Sequence, residues 1–99
     1  MVSSGYDLLE LEFTFPTDPY KGKKNLCGDR IRIERLKKRM TQMELAAKIQ
    51  LQGITLERDS ISRIEIGTRF VTDYELKLFA KVLNVTVDDL LEEDDTMES

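Results

Sequence analysis

Apolar side chains recur along this chain at two periods, and the switch between them divides it. Residues 9–15, Leu-Glu-Leu-Glu-Phe-Thr-Phe, alternate apolar and polar with period two, which is a strand pattern. Pro16 and Pro19 stop it. From Leu26 onward the spacing is helical. Cys27, Ile31, Leu36 and Met40 mark the inner side of a first helix over 26–40, and Ile33 stands on a face that this spacing leaves open to receive the N-terminal arm. Thr41-Gln-Met-Glu44 is a capping box: the Thr hydroxyl accepts from an orphan amide while Glu44 reaches back to the cap. Leu45, Ala46 and Ile49 follow as the buried face of a second helix running from Gln42 to about Gln52, with Gly53 closing it. Ile54 and Leu56 fold back over the core.

Ile61 and Ile64 repeat the helical spacing in a third segment, Arg58 to Ile66, which Gly67 closes. Its N-cap falls to Glu57, a weak capping residue, or to Thr55. Thr72-Asp-Tyr-Glu75 is a second capping box and opens a fourth helix, with Leu76, Phe79, Ala80 and Leu83 inside and Asn84 at its end. Thr86-Val-Asp-Asp89 opens a short fifth helix with Val87, Leu90 and Leu91 as its apolar positions. The expected organisation is an arm over 1–25 that contains the strand pattern and a basic linker (Lys21, Lys23, Lys24), a helical domain over 26–92, and an acidic disordered tail over 93–99.

Two stretches carry a family resemblance. Thr41 begins T-Q-x-x-L-A, and Ile61 begins I-S-x-I-E-x-G. Together they resemble the signature of Cro/cI-type (XRE-type) helix-turn-helix transcriptional regulators, over roughly residues 26–92. The family's commonest turn is shorter by about five residues, and the added material around 50–56 resembles a longer-turn variant. The resemblance implies an all-α, five-helix, lambda-repressor-like fold, here with an N-terminal extension that can form one β-strand. Glu34 departs from the family, many of whose members have an apolar residue there.

The third helix carries the candidate chemistry. With Ile61 and Ile64 inward, its opposite face offers Arg58, Asp59, Ser62 and Arg63. Arg can bond guanine O6 and N7 together, Asp can accept from cytosine N4, and Ser adapts to either. The bland reading is an ordinary solvated helix face; the resemblance tips the balance, because matched positions in the family read bases. It further implies that Gln42, Arg69 and Lys38 contact phosphates, with Arg39 as an assistant, and that Arg35 and Glu65 form a structural ion pair from the first helix to the end of the third.

Charge at first contradicts a DNA-binding reading, because the 99 residues sum to −4. Its distribution removes the conflict. Residues 20–69 hold 13 Lys and Arg against 6 Asp and Glu, whereas residues 1–19 carry −4 and residues 70–99 carry −7. The local field, not the net charge, is what a polyanion meets. The chain has no His and a single Cys27, which leaves no disulfide, no metal cluster and no activated nucleophile. No enzyme, cofactor or metal is therefore expected. With no apolar run of membrane-spanning length and no basic leader at its start, a cytoplasmic location is expected.

The leading functional expectation is a sequence-specific DNA-binding repressor acting as a homodimer on double-stranded DNA. Its interface is sought either at Val85, Val87, Leu90 and Leu91 or at the strand pattern. The alternative is a protein-interaction module, such as an antitoxin or co-regulator, that binds a partner protein through residues 8–15 or the C-terminal helices.

Overall fold

Capping chemistry sets the frame in the computed structural model, which describes residues 21–92. Five helices follow in order: α1 (Gly28–Lys37), α2 (Gln42–Leu51), α3 (Arg58–Ile66), α4 (Asp73–Leu83) and α5 (Val87–Leu91). Among the described residues there is no strand, and the fold is all-α. The strand pattern of residues 9–15 and the tail of residues 93–99 lie outside the described residues.

Three helices begin with a complete capping box. Thr41 Oγ1 accepts from Glu44 N at 3.0 Å, and the Glu44 carboxylate accepts from Thr41 N at 2.8 Å. Thr72 with Glu75 and Thr86 with Asp89 repeat the arrangement ahead of α4 and α5. Each box satisfies two of the four amides that a helix start leaves without partners. Glu57 caps α3 without a side-chain hydrogen bond, as its weak capping propensity predicts. Helix ends are equally local. Gly67 (φ +88) receives α3 with Thr68 N bonded to Arg63 O and Gly67 N bonded to Ile64 O, the Schellman pattern. Gly53 (φ +103) closes α2, and Asn84 (φ +59) closes α4.

The core draws on every helix. Ile31, Leu45, Ile49, Ile61, Ile64, Phe79, Leu83 and Leu90 are fully buried. α1 packs on α3, α4 and α5, and α2 packs on α3 and α4. Leu56 is buried and Ile54 packs against the cluster, so the long α2–α3 connection seals the core. Fully burying a side chain of this size contributes roughly 1.5–3 kcal/mol.

Two expectations about the core are corrected. Leu36 is 48% exposed, and α1 is shorter at both ends than 26–40. The inward stripe of α1 is Cys27, Ile31, Glu34 and Arg35, and Leu36 lies one residue, about 100°, beyond it. Of the four residues sought as a dimer surface, Leu91 is exposed but α5 turns Leu90 fully inward. Leu90 is thus consumed by the core and cannot supply a dimer surface. Ile33 is exposed, as its spacing predicts.

One contact between α1 and α3 needs a glycine. A Cβ on buried Gly28 would overlap the carbonyl oxygen of Ile64. Asn25 fills the same corner: Oδ1 accepts from Gly28 N at 2.7 Å, and Nδ2 donates to Ile64 O at 3.0 Å and Arg69 O at 2.8 Å. One amide therefore caps α1 and also takes two carbonyls at the exit of α3.

Candidate nucleic-acid interface

The starts of α2 and α3 meet side by side. Arg58 Nη1 donates to Gln42 Oε1 at 3.1 Å, joining the first residue of each helix. Two helix N-termini therefore share one surface, and each presents unpaired backbone amides and the positive end of a helix dipole.

Along α3 the four candidate base readers divide by environment. Arg58 and Asp59 are exposed and mutually paired, Arg58 Nη2 lying 3.5 Å from Asp59 Oδ1. An exposed pair of this kind adds at most about 1 kcal/mol and reorganises readily. Ser62 is half-buried, and Arg63 is exposed near the helix end. The inward residues Ile61 and Ile64 hold this face outward, as their spacing predicts.

Behind the surface lies a buried ion pair. Arg35 Nε donates to Glu65 Oε2 at 2.7 Å and Nη2 to Glu65 Oε1 at 2.9 Å, with Nη1 on the Met40 carbonyl at 2.8 Å. The hydrogen bond to Glu65 holds the Arg35 guanidinium above its ordinary pKa against the opposing effect of burial. Gln42 Nε2 donates to the same Glu65 Oε1 at 3.0 Å. The amide of Gln42 therefore bridges a buried carboxylate to an exposed guanidinium, which no spacing rule in the sequence discloses.

The other phosphate candidates stand in different surroundings. Lys38 and Arg39 are exposed just past α1, and Arg39 adopts a left-handed φ of +57. Arg69 is bound to Glu75 by both carboxylate oxygens at 3.2 and 3.3 Å, and its Nη1 also reaches Phe70 O. Burial raises the Glu75 carboxyl, but hydrogen bonds from Arg69 and from the Thr72 amide outweigh it and leave the group below its ordinary pKa. The residues that sequence reasoning passed over are Glu75, seen only as a cap, and Asn25, read only as linker. Asn25 had a usable signal, since Asn is a strong capping residue placed three residues before the amide it bonds.

Burial pushes the Cys27 thiol up to about 11, so it is protonated at neutral pH and a poor nucleophile. Among the described residues no cluster of His, Cys, Asp or Glu could hold a metal ion, and no helix is long and apolar enough to cross a membrane.

Comparison with known proteins bears on the fold and the family. The sequence profile of a helix-turn-helix family matches residues 31–90. The crystal structure of a hypothetical transcription factor from Neisseria is similar in fold, with a TM-score of 0.65 at 20% identity over 88% of this chain and 97% of the other. No curated protein matches.

Proposed function

The chain belongs to the helix-turn-helix family, of Cro/cI type, and from that premise we propose that it is a sequence-specific repressor binding double-stranded DNA as a homodimer. The single observation that carries the reading is the pairing of the two helix starts: Gln42 on α2 lies within hydrogen-bond reach of Arg58 on α3, with Asp59 and Arg63 exposed on the same helix. A helix with this presentation fits the major groove, and its N-terminal residues reach base edges. Arg58, Asp59, Ser62 and Arg63 read bases; Gln42, Arg69 and Lys38 position the phosphates. The acidic flanks oppose non-specific binding, which depends on net electrostatic attraction. A dimer follows because one helix reads few bases, whereas two copies about 34 Å apart read both halves of a palindrome.

The test is selection of duplexes from a random pool, followed by salt titration of two variants. Arg63→Ala costs about 1–3 kcal/mol on the enriched duplex and relaxes one position per half-site. Arg69→Ala weakens all duplexes alike and lowers the salt slope by about one unit. Equal losses for Arg63→Ala on enriched and scrambled duplexes would sink the assignment of α3 as base reader.

A second reading, a protein-interaction module such as an antitoxin or co-regulator that binds through residues 8–15 or the C-terminal helices, draws on exposed Tyr74 on α4 and Leu91 on α5. Failure of the wild type to bind any duplex at low salt, with binding to a partner protein, would favour it.

A further inference from the structure

We infer that Glu65, a buried residue with no access to a groove, is the positioning residue that sets the base preference at Arg58. This rests on the reading of α3 as base reader and deepens it. The argument is a continuous chain of hydrogen bonds. Arg35 fixes the Glu65 carboxylate with two bonds at 2.7 and 2.9 Å, and both side chains are more than nine-tenths enclosed. Glu65 accepts only, so the group that Gln42 turns toward it must be the NH2 end of its amide. The carbonyl end of Gln42 is thereby forced outward, where it accepts from Arg58 Nη1.

The direction of that amide is decisive. Reversed, Gln42 would present NH2 to a guanidinium, donor against donor, and Arg58 would lose its anchor. A free arginine has many rotamers and can bond guanine, phosphate or a neighbouring carboxylate. One tethered through Nη1 keeps its plane and a fixed set of remaining donors, which is what discrimination between bases requires. Asp59 alone cannot supply this orientation, because its own side chain is 70% exposed and the separation is 3.5 Å. The buried ion pair therefore does more than join α1 to α3: it sets the polarity of an amide, and the amide sets a guanidinium.

The experiment measures binding of the full chain to duplexes that the wild type enriches from a random pool, with every base pair of the half-site substituted in turn. Arg58→Ala first identifies the position that Arg58 reads. The probe is then Arg35→Met together with Glu65→Leu, which removes the pair whole so that no charge is left buried alone; circular dichroism reports folding. Discrimination at the Arg58 position should fall about tenfold while the other positions keep theirs. Gln42→Met is the second variant: it leaves the ion pair intact and cuts both bonds of the bridge. A purely phosphate-binding Gln42 would lose affinity evenly at all positions, whereas the bridge predicts an added local loss at the Arg58 position. Full discrimination at that position in Gln42→Met, or in the folded double variant, overturns the inference while the base-reader reading stands. An unchanged profile in Arg58→Ala, or no enriched duplex at all, overturns that reading and the inference with it.

Discussion

Glu65 and Glu75 each grip an arginine with both carboxylate oxygens, yet the two pairs do different work. Glu65 meets Arg35 at 2.7 and 2.9 Å across 30 residues of chain, with side chains only 9% and 2% exposed for Arg35 and Glu65 respectively. Glu75 meets Arg69 at 3.2 and 3.3 Å across six residues, and Arg69 remains 30% exposed. The first pair ties α1 to the last turn of α3 and reaches the surface through Gln42. The second closes a loop and shares its carboxylate with the capping box of α4. The same chemistry thus locks long-range architecture in one place and reinforces a local signal in the other. Enclosure decides how much each is missed when broken.

The largest expected effect tests the enclosed pair. Glu65→Ala leaves the Arg35 guanidinium buried with only the Met40 carbonyl, and costs about 3–5 kcal/mol in urea unfolding. Arg35→Met with Glu65→Leu should recover most of that loss. A cost for Glu65→Ala below that of Arg69→Ala would erase the distinction between the pairs.

Arg69→Ala is expected to cost about 1–2 kcal/mol of stability. Glu75 still accepts from the Thr72 amide at 3.0 Å, so its charge is not orphaned. Thermal melts of the free protein separate this effect from the salt slope on DNA.

Acid sharpens the comparison further. The folded pKa of Glu75 lies below its ordinary value of 4.5, so its stabilisation is present above that value and is lost as pH falls through the folded one. The hydrogen bond to Glu65 shifts Arg35 upward, so the guanidinium itself stays charged throughout the acid range and does not titrate there. Glu75→Gln should therefore flatten the loss of stability below about pH 5, by less than the Arg69→Ala effect. An unchanged acid profile would show that other carboxylates dominate it.

The smallest effect concerns the carbonyl that Arg35 also holds. Met40 follows Arg39, whose φ of +57 is unfavourable for a side-chain-bearing residue. Arg39→Gly should stabilise by up to about 1 kcal/mol, raising Tm by a few degrees. A fall in Tm would mean that the Arg39 side chain contributes more than its backbone costs.

Much of this was legible in the sequence. The capping boxes at Thr41 and Thr72, the start of α5 at Thr86, the closing residues Gly53, Gly67 and Asn84, and the inward faces of α2, α3 and α4 were read from spacing alone. The face of α3 that carries Arg58, Asp59 and Arg63 outward followed from Ile61 and Ile64. Those signals are complete within one or two helical turns, because a capping hydrogen bond or an i, i+3 stripe involves no distant partner.

What lies across the chain had to await the fold. Leu36 is exposed while Glu34 and Glu75 are buried, an inversion of the hydropathy order. Gly28 is required only because α3 ends against it, and Asn25 caps and bridges only because Ile64 and Arg69 turn their carbonyls toward it. The pairing of Arg69 with Glu75, and the amide of Gln42 suspended between Glu65 and Arg58, arise likewise from packing. Local hydrogen bonding can be read along a line. Burial and the choice of polar partner depend on which surfaces the other helices cover, and those are set only when the five have packed.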